Sequence, residues 1–195
     1  MNKKVFKMSF LALMGAILLI LMFTPLGYIP VGVLRITTMH IPVILTACIL
    51  GVKEGMMMGC LFGISSVVIN TINPTITSFV FSPFIEVGGI HGNGYSLLIA
   101  LVPRILIGLV AGFIYKKYQN KLGLSFAAFL ATLTNTILVL GGIYILFGTS
   151  YASSRGIAYE LLKNVMLTTA FTNGLLEALV AIVVCNIVVP KLKRS

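Results

Sequence analysis

SLLIALVPRILIGLVAGFIYKK, residues 96–117, has the length and composition of one membrane-crossing helix, yet Pro103 and Arg104 sit inside it. A span needs about 20 mostly apolar residues, and this stretch supplies them on either side of a permanent charge. Counted from Ser96, Arg104 lies about 12 Å in at roughly 1.5 Å per residue. A guanidinium at that depth costs about 2.5 kcal/mol or more even on a lenient insertion scale, so it has to face a partner or a cavity. Two readings are open. Arg104 pairs with an acidic residue or reaches up to the outer headgroups, or it is a planar fork that grips a carboxylate through two hydrogen bonds. Pro103 suits either, because it leaves a carbonyl unpaired one turn earlier and can bend the helix around a pocket.

The rest of the chain has the same character. Of 195 residues 58% are hydrophobic and 9% charged, against about 25% charged in an ordinary soluble domain. This composition is that of an integral membrane protein, short enough that six or seven spans exhaust it in one compact bundle over residues 1–195. The first apolar run, residues 8–23, follows Lys3, Lys4 and Lys7 as a secretory signal would. It is followed by TPLGYIP instead of a small-residue cleavage site, so it is read as a retained first helix. The net charge of +10 falls in short basic runs at the ends of apolar segments, as topology signals do, which argues against nucleic-acid binding. Cys48, Cys60 and Cys185 stand singly inside apolar segments, without the spacing of a disulfide framework or zinc site.

Apolar runs and breakers predict six helices, at about residues 4–23, 40–51, 55–69, 96–115, 126–147 and 158–189. The second is short, and a VKEG link separates it from the third, which carries Gly55, Gly59 and Gly63 at four-residue spacing, a stripe that lets another backbone approach closely. With both ends in the cytoplasm, the inner side holds Lys3, Lys4, Lys7, Lys53, Lys116, Lys117, Lys121, Lys191, Lys193 and Arg194. Only Arg35, Arg104, Arg155 and Lys163 remain outside or within the membrane. The elaborate loops, residues 24–38, 70–95 and 148–157, then face outward. The longest, NTINPTITSFVFSPFIEVGGIHGNGY, is too apolar for disorder and is expected to fold back over something.

Polar residues deep in other helices give Arg104 company. Asn173 and Glu177 are one turn apart on the sixth helix, with Thr169 a turn above, and Asn135 in TLTNT on the fifth lies near the depth of Asn173. Each asparagine taken singly is as well explained as interhelical glue. Together, Arg104, Asn135, Asn173 and Glu177 come from three helices and are expected to line one cavity that opens outward. Glu177, the deepest, either meets a ligand, orients Arg104 or is a protonated structural carboxyl. His40 at the mouth of the second helix is a candidate ligand donor or a cap, and His91 reads as a solvated loop histidine. No Cys or Asp cluster accompanies them, so no metal is expected. Phe79, Phe81 and Tyr144 are candidate apolar walls or interfacial anchors.

The phrases HIPVILTACILG (residues 40–51), GCLFGISSVVINTINPTITSFVFSPF (59–84) and LLIALVPRILIGLVAG (97–112) resemble the substrate-binding S components of energy-coupling-factor vitamin transporters, most of all the pantothenate-specific branch. The resemblance covers nearly the whole chain. It implies an all-α bundle of six transmembrane helices in the bacterial plasma membrane, capturing a vitamin from outside beneath lids made by the first and third loops. It implies a transmembrane coupling protein and two ATPases as partners, which use ATP and Mg while this chain binds no cofactor. The family's AxxxA docking signature on its first helix is matched by Ala12-Leu13-Met14-Gly15-Ala16. Pantothenate suits the residues, with Arg104 for its carboxylate and asparagines for its hydroxyls and amide. The absence of tryptophan argues mildly against a flat-ringed vitamin.

Other functions have less support. The chain shows no nucleophile with a base, no HExxH and no acidic metal cluster, so an intramembrane enzyme is disfavoured. It has no GxxxxGK[ST] phosphate loop and is not itself a motor. A stand-alone carrier lacks a visible inverted repeat. Within the favoured class the alternative is another water-soluble vitamin, such as a pyridoxine or a pyrimidine precursor.

Overall fold

The computed structural model describes residues 2–31 and 34–193. Arg194 lies outside the described residues, as do the side chains of Arg35 and Lys193. Six helices dominate: α1 Lys3–Phe23, α2 His40–Leu50, α3 Val52–Ile72, α4 Gly94–Lys117, α5 Lys121–Ser154 and α6 Tyr159–Lys193. Two small antiparallel hairpins lie in the outer loops, β1 Tyr28–Val31 with β2 Leu34–Thr37, and β3 Glu86–Val87 with β4 Ile90–His91. The protein is an all-α membrane bundle in which five helices are long and apolar enough to cross a bilayer.

The sixth, α2, is not. Its 11 residues rise about 16 Å, roughly half the hydrocarbon thickness, in keeping with the short second helix expected at residues 40–51. Residues 40 through 48 of α2 are all buried, as a helix apolar all round must be. It is enclosed by α1, α3, α4, α5 and α6.

Several helix ends differ from expectation. The VKEG link does not exist, because Gly51 alone, at φ +119°, turns the chain and α3 starts at Val52. That left-handed backbone is cheap only for glycine. Helix α5 runs through Gly141, Gly142 and Gly148 to Ser154, and the expected turn shrinks to the residues after it. Glycine lowers helix propensity by only about 1 kcal/mol, which surrounding packing outweighs. At 34 and 35 residues, α5 and α6 are each about 50 Å long and must tilt or project beyond the bilayer.

Helices α3 and α4 pack backbone to backbone. A Cβ placed on Gly59 would lie 2.2 Å from the Arg104 carbonyl oxygen, one on Gly108 would lie 2.2 Å from Gly55, and one on Gly63 2.8 Å from Ala100 O. The glycine stripe therefore presses against the very turn that carries Pro103 and Arg104. At the opposite end of α3, Lys7 of α1 forms an ion pair with the buried Glu54. This puts the chain's start and the α2–α3 junction on one side of the bundle, in keeping with the charge distribution. The main apolar core surrounds α2, and a second cluster forms under the 73–93 segment from Phe79, Val80, Ile99, Ile143, Phe147 and Leu162. The long outer loop does fold back. Phe79 is fully buried, and its carbonyl accepts the Ser96 hydroxyl at 2.6 Å.

Candidate functional site

A cavity of about 400 Å³ lies between the outer halves of α3, α4, α5 and α6. Arg104, Asn135, Asn173 and Glu177 all line it, joined by Phe81 and Thr169. Arg104 comes to this space from α4, Asn135 from α5, and Asn173 and Glu177 from α6.

The local reason for Arg104 is its neighbour. Pro103 has no N–H, so the carbonyl of Ile99, four residues back, loses its helical donor. The Arg104 guanidinium replaces it, with Nη1 donating to Ile99 O at 2.7 Å. The same group stands over two rings, 5.5 Å from the centroid of Phe62 and 5.2 Å from that of Phe81. Cation–π attraction of this kind is worth more where water is excluded, and Arg104 is only 7% exposed. One edge of the fork is committed to the helix, its faces are flanked by aromatics, and the residue lines the cavity.

The wall made by α5 and α6 offers mainly acceptors. Thr169 Oγ1 donates to Val165 O at 2.8 Å and Thr136 Oγ1 to Thr132 O at 3.2 Å. Their hydrogens are spent on the helix backbone, which leaves hydroxyl lone pairs. Asn135 Oδ1 is buried and accepts no hydrogen bond among the described residues. A buried carbonyl oxygen in that state favours a ligand that brings an O–H or N–H. Glu177 Oε1 accepts the backbone N–H of Thr37 at 2.8 Å, tying α6 to the end of β2.

The opposite wall went unread in the sequence. Phe62, Ser66 and Asn70 follow one another at four-residue spacing along α3 and all line the cavity, and Asn73, Thr75 and Thr77 continue the wall beyond the helix. The sequence expectation of a helix over 55–69 places Asn70 in the following loop, whereas α3 continues to Ile72 and the four-residue spacing of Phe62, Ser66 and Asn70 marks their shared face. Asn70 is a strut: its Nδ2 donates to Ser66 O at 2.8 Å, and its Oδ1 accepts from the buried Ser78 hydroxyl at 2.6 Å. Ser78 in turn accepts the Thr75 N–H at 2.9 Å. Thr71 and the buried Ser82 add a hydroxyl pair at 2.7 Å.

Other candidates sit elsewhere. Phe79 packs against Phe147, with ring centroids 5.9 Å apart, inside the outer apolar cluster and away from the cavity lining. Its apolar ring follows Val80 inward, where burial is most favourable. Tyr144 stacks on Tyr159 at 6.0 Å, joining α5 to α6 near their outer ends, and is also absent from the lining. His40 is 1% exposed at the start of α2, within the bundle and outside the cavity wall. His91 lies 3.3 Å from Glu86 across the β3–β4 hairpin, both exposed. Ala12 and Ala16 lie exposed on the outward face of α1.

The sequence profile of the family described as "ECF transporter, substrate-specific component" matches residues 6–189. A protein named pantothenic acid transporter PanT, from Lactococcus lactis subsp. cremoris, is 40% identical over 160 residues, covering 82% of this chain and 78% of the relative. One named pantothenate transporter PanT, from Leuconostoc mesenteroides subsp. mesenteroides, is 29% identical over 199 residues, covering 93% of this chain and 91% of the relative.

Proposed function

The chain belongs to the family of ECF transporter substrate-specific components, and from that premise we propose that it captures pantothenate from outside the cell for an ATP-driven importer. It is a multi-pass protein of the bacterial plasma membrane and a transport protein rather than an enzyme. The names of its relatives support the vitamin. The observation that carries the reading is a single preset guanidinium facing a wall of acceptors inside one cavity.

Pantothenate is a carboxylate at one end and hydroxyls with an amide N–H along the rest. Arg104 grips the carboxylate. Its geometry is fixed before binding by its bond to Ile99 O and by Phe62 and Phe81, so little side-chain entropy is lost on capture. Asn135 Oδ1 and the Thr136 and Thr169 oxygens accept from the ligand's hydroxyls and amide, and Asn173 completes that side. Glu177 holds Thr37 at the wall. ATP hydrolysis belongs to separate ATPase subunits reached through a coupling protein. The exposed Ala12 and Ala16 of α1 provide the small-residue surface on which another helix can approach closely.

The test is calorimetric titration of the purified protein with pantothenate, repeated with Arg104→Gln and with thermal unfolding as the check on folding. The wild type is expected to bind tightly and the variant at least 100-fold more weakly, the value of two charge-assisted hydrogen bonds at about 1.5–3 kcal/mol each. Absence of wild-type binding heat at several temperatures would overturn the pantothenate assignment and direct the search to pyridoxine and pyrimidine precursors. Equal binding by both proteins would make Arg104 structural.

A further inference from the structure

The cavity is lined by one guanidinium and one carboxyl group, and the reading above gives a ligand role to the first. Among the described residues that line it, Arg104 is the one cation and Glu177 the one carboxylate; every other polar liner is an amide or a hydroxyl. Glu177 is 8% exposed and held in place by the Thr37 N–H.

We propose that Glu177 is a specificity determinant acting by charge: it offsets Arg104, so that the cavity admits a ligand with one carboxylate and an otherwise neutral tail and rejects one that carries a second anionic group, such as a phosphomonoester on a tail hydroxyl. This rests on the proposed function and adds the class of ligand refused. Glu177 lines the same cavity that a ligand's second anionic group would enter, and repulsion involving a buried carboxylate is screened far less than that between exposed charges. A phosphomonoester carries about −1.5 to −2 at pH 7, and a single guanidinium already engaged by the carboxylate cannot balance it. Neutral hydroxyls and an amide meet no such penalty.

The experiment measures the affinities of three probes for the wild type and Glu177→Gln: pantothenate, the alcohol in which its carboxylate is reduced, and pantothenate phosphorylated on its primary hydroxyl. Glutamine preserves the acceptor for Thr37 and removes the charge. In the wild type the phosphorylated probe is expected to bind at least 100-fold more weakly than pantothenate. In the variant that ratio is expected to fall tenfold or more. The effect of the substitution should grow with ligand charge, least for the alcohol, a few-fold gain for pantothenate and most for the phosphorylated probe.

A similar change for all three probes would mark Glu177 as a structural or hydrogen-bonding residue and overturn the inference. Wild-type protein that binds the phosphorylated probe as well as pantothenate would overturn it without any variant. Loss of pantothenate binding in the wild type would remove the proposed function and this inference together, whereas the two preceding results leave the proposed function standing.

Discussion

The helix pairs α3–α4 and α5–α6 both border the cavity, and they are built in opposite ways. Between α3 and α4 the contacts are glycine against backbone: Gly55, Gly59 and Gly63 on one side meet Gly108, the Arg104 carbonyl and Ala100 on the other. Between α5 and α6 glycines meet side chains only: a Cβ on Gly148 would lie 2.9 Å from the Tyr159 ring and one on Gly174 3.1 Å from Thr136, and a Cβ on Gly141 would meet nothing within 4 Å. The first pair fixes where the guanidinium stands. The second leaves room, and that room is lined with amides and hydroxyls. In a membrane, where burial of apolar surface gives helices no net drive to associate, close backbone packing is the available way to make a rigid pair.

Gly59→Ala is expected to have the largest effect on this contrast. Its Cβ would collide with the Arg104 carbonyl carbon and oxygen, both backbone atoms that cannot step aside. A loss of about 3 kcal/mol is expected, read as a fall of about 10 °C in apparent Tm in detergent, with ligand affinity falling as Arg104 is displaced. Next comes Asn135→Ala, which removes one acceptor from the open wall. It should weaken pantothenate binding about tenfold, the value of one hydrogen bond, with little change in the Tm of the unliganded protein. The smallest effects belong to Gly174→Ala and Gly141→Ala. The former has only the Thr136 side chain to push back and should cost less than about 1 kcal/mol, and the latter should be neutral or stabilising by up to about 1 kcal/mol through helix propensity. If Gly174→Ala proved as damaging as Gly59→Ala in the same unfolding assay, the two pairs would not differ in kind.

Much of this was legible in the residues. The glycine stripe announced a close contact, and Pro103 announced an unpaired carbonyl. The matched depths of Asn135 and Asn173 announced a shared level in the membrane. What stayed hidden depended on where helices end. Asn70 joins the cavity wall because α3 continues to Ile72, past the end expected from the sequence. Phe79 and Tyr144 carry the same apolar and aromatic chemistry as Phe81, yet only Phe81 faces the cavity. Composition cannot distinguish rings that differ only in the direction in which they point. Likewise Ser78 and Ser82, both fully buried, lie in the outer loop, where nothing in the local sequence marks them as buried.

By itself the sequence determined a membrane bundle, its sidedness through the placement of lysines, and a short set of polar residues too costly to bury without purpose. These follow from transfer free energies and periodicity, which act locally along the chain. Only the tertiary structure decided that Arg104 bonds Ile99 O between Phe62 and Phe81, that Glu177 holds Thr37, and that Asn70 props the loop beyond it. Those contacts join groups whose meeting depends on how α3, α4 and α6 pack and on how the outer loops fold across them. Hydrogen-bond geometry over less than 3 Å is fixed by that packing, and no local pattern along the chain records it.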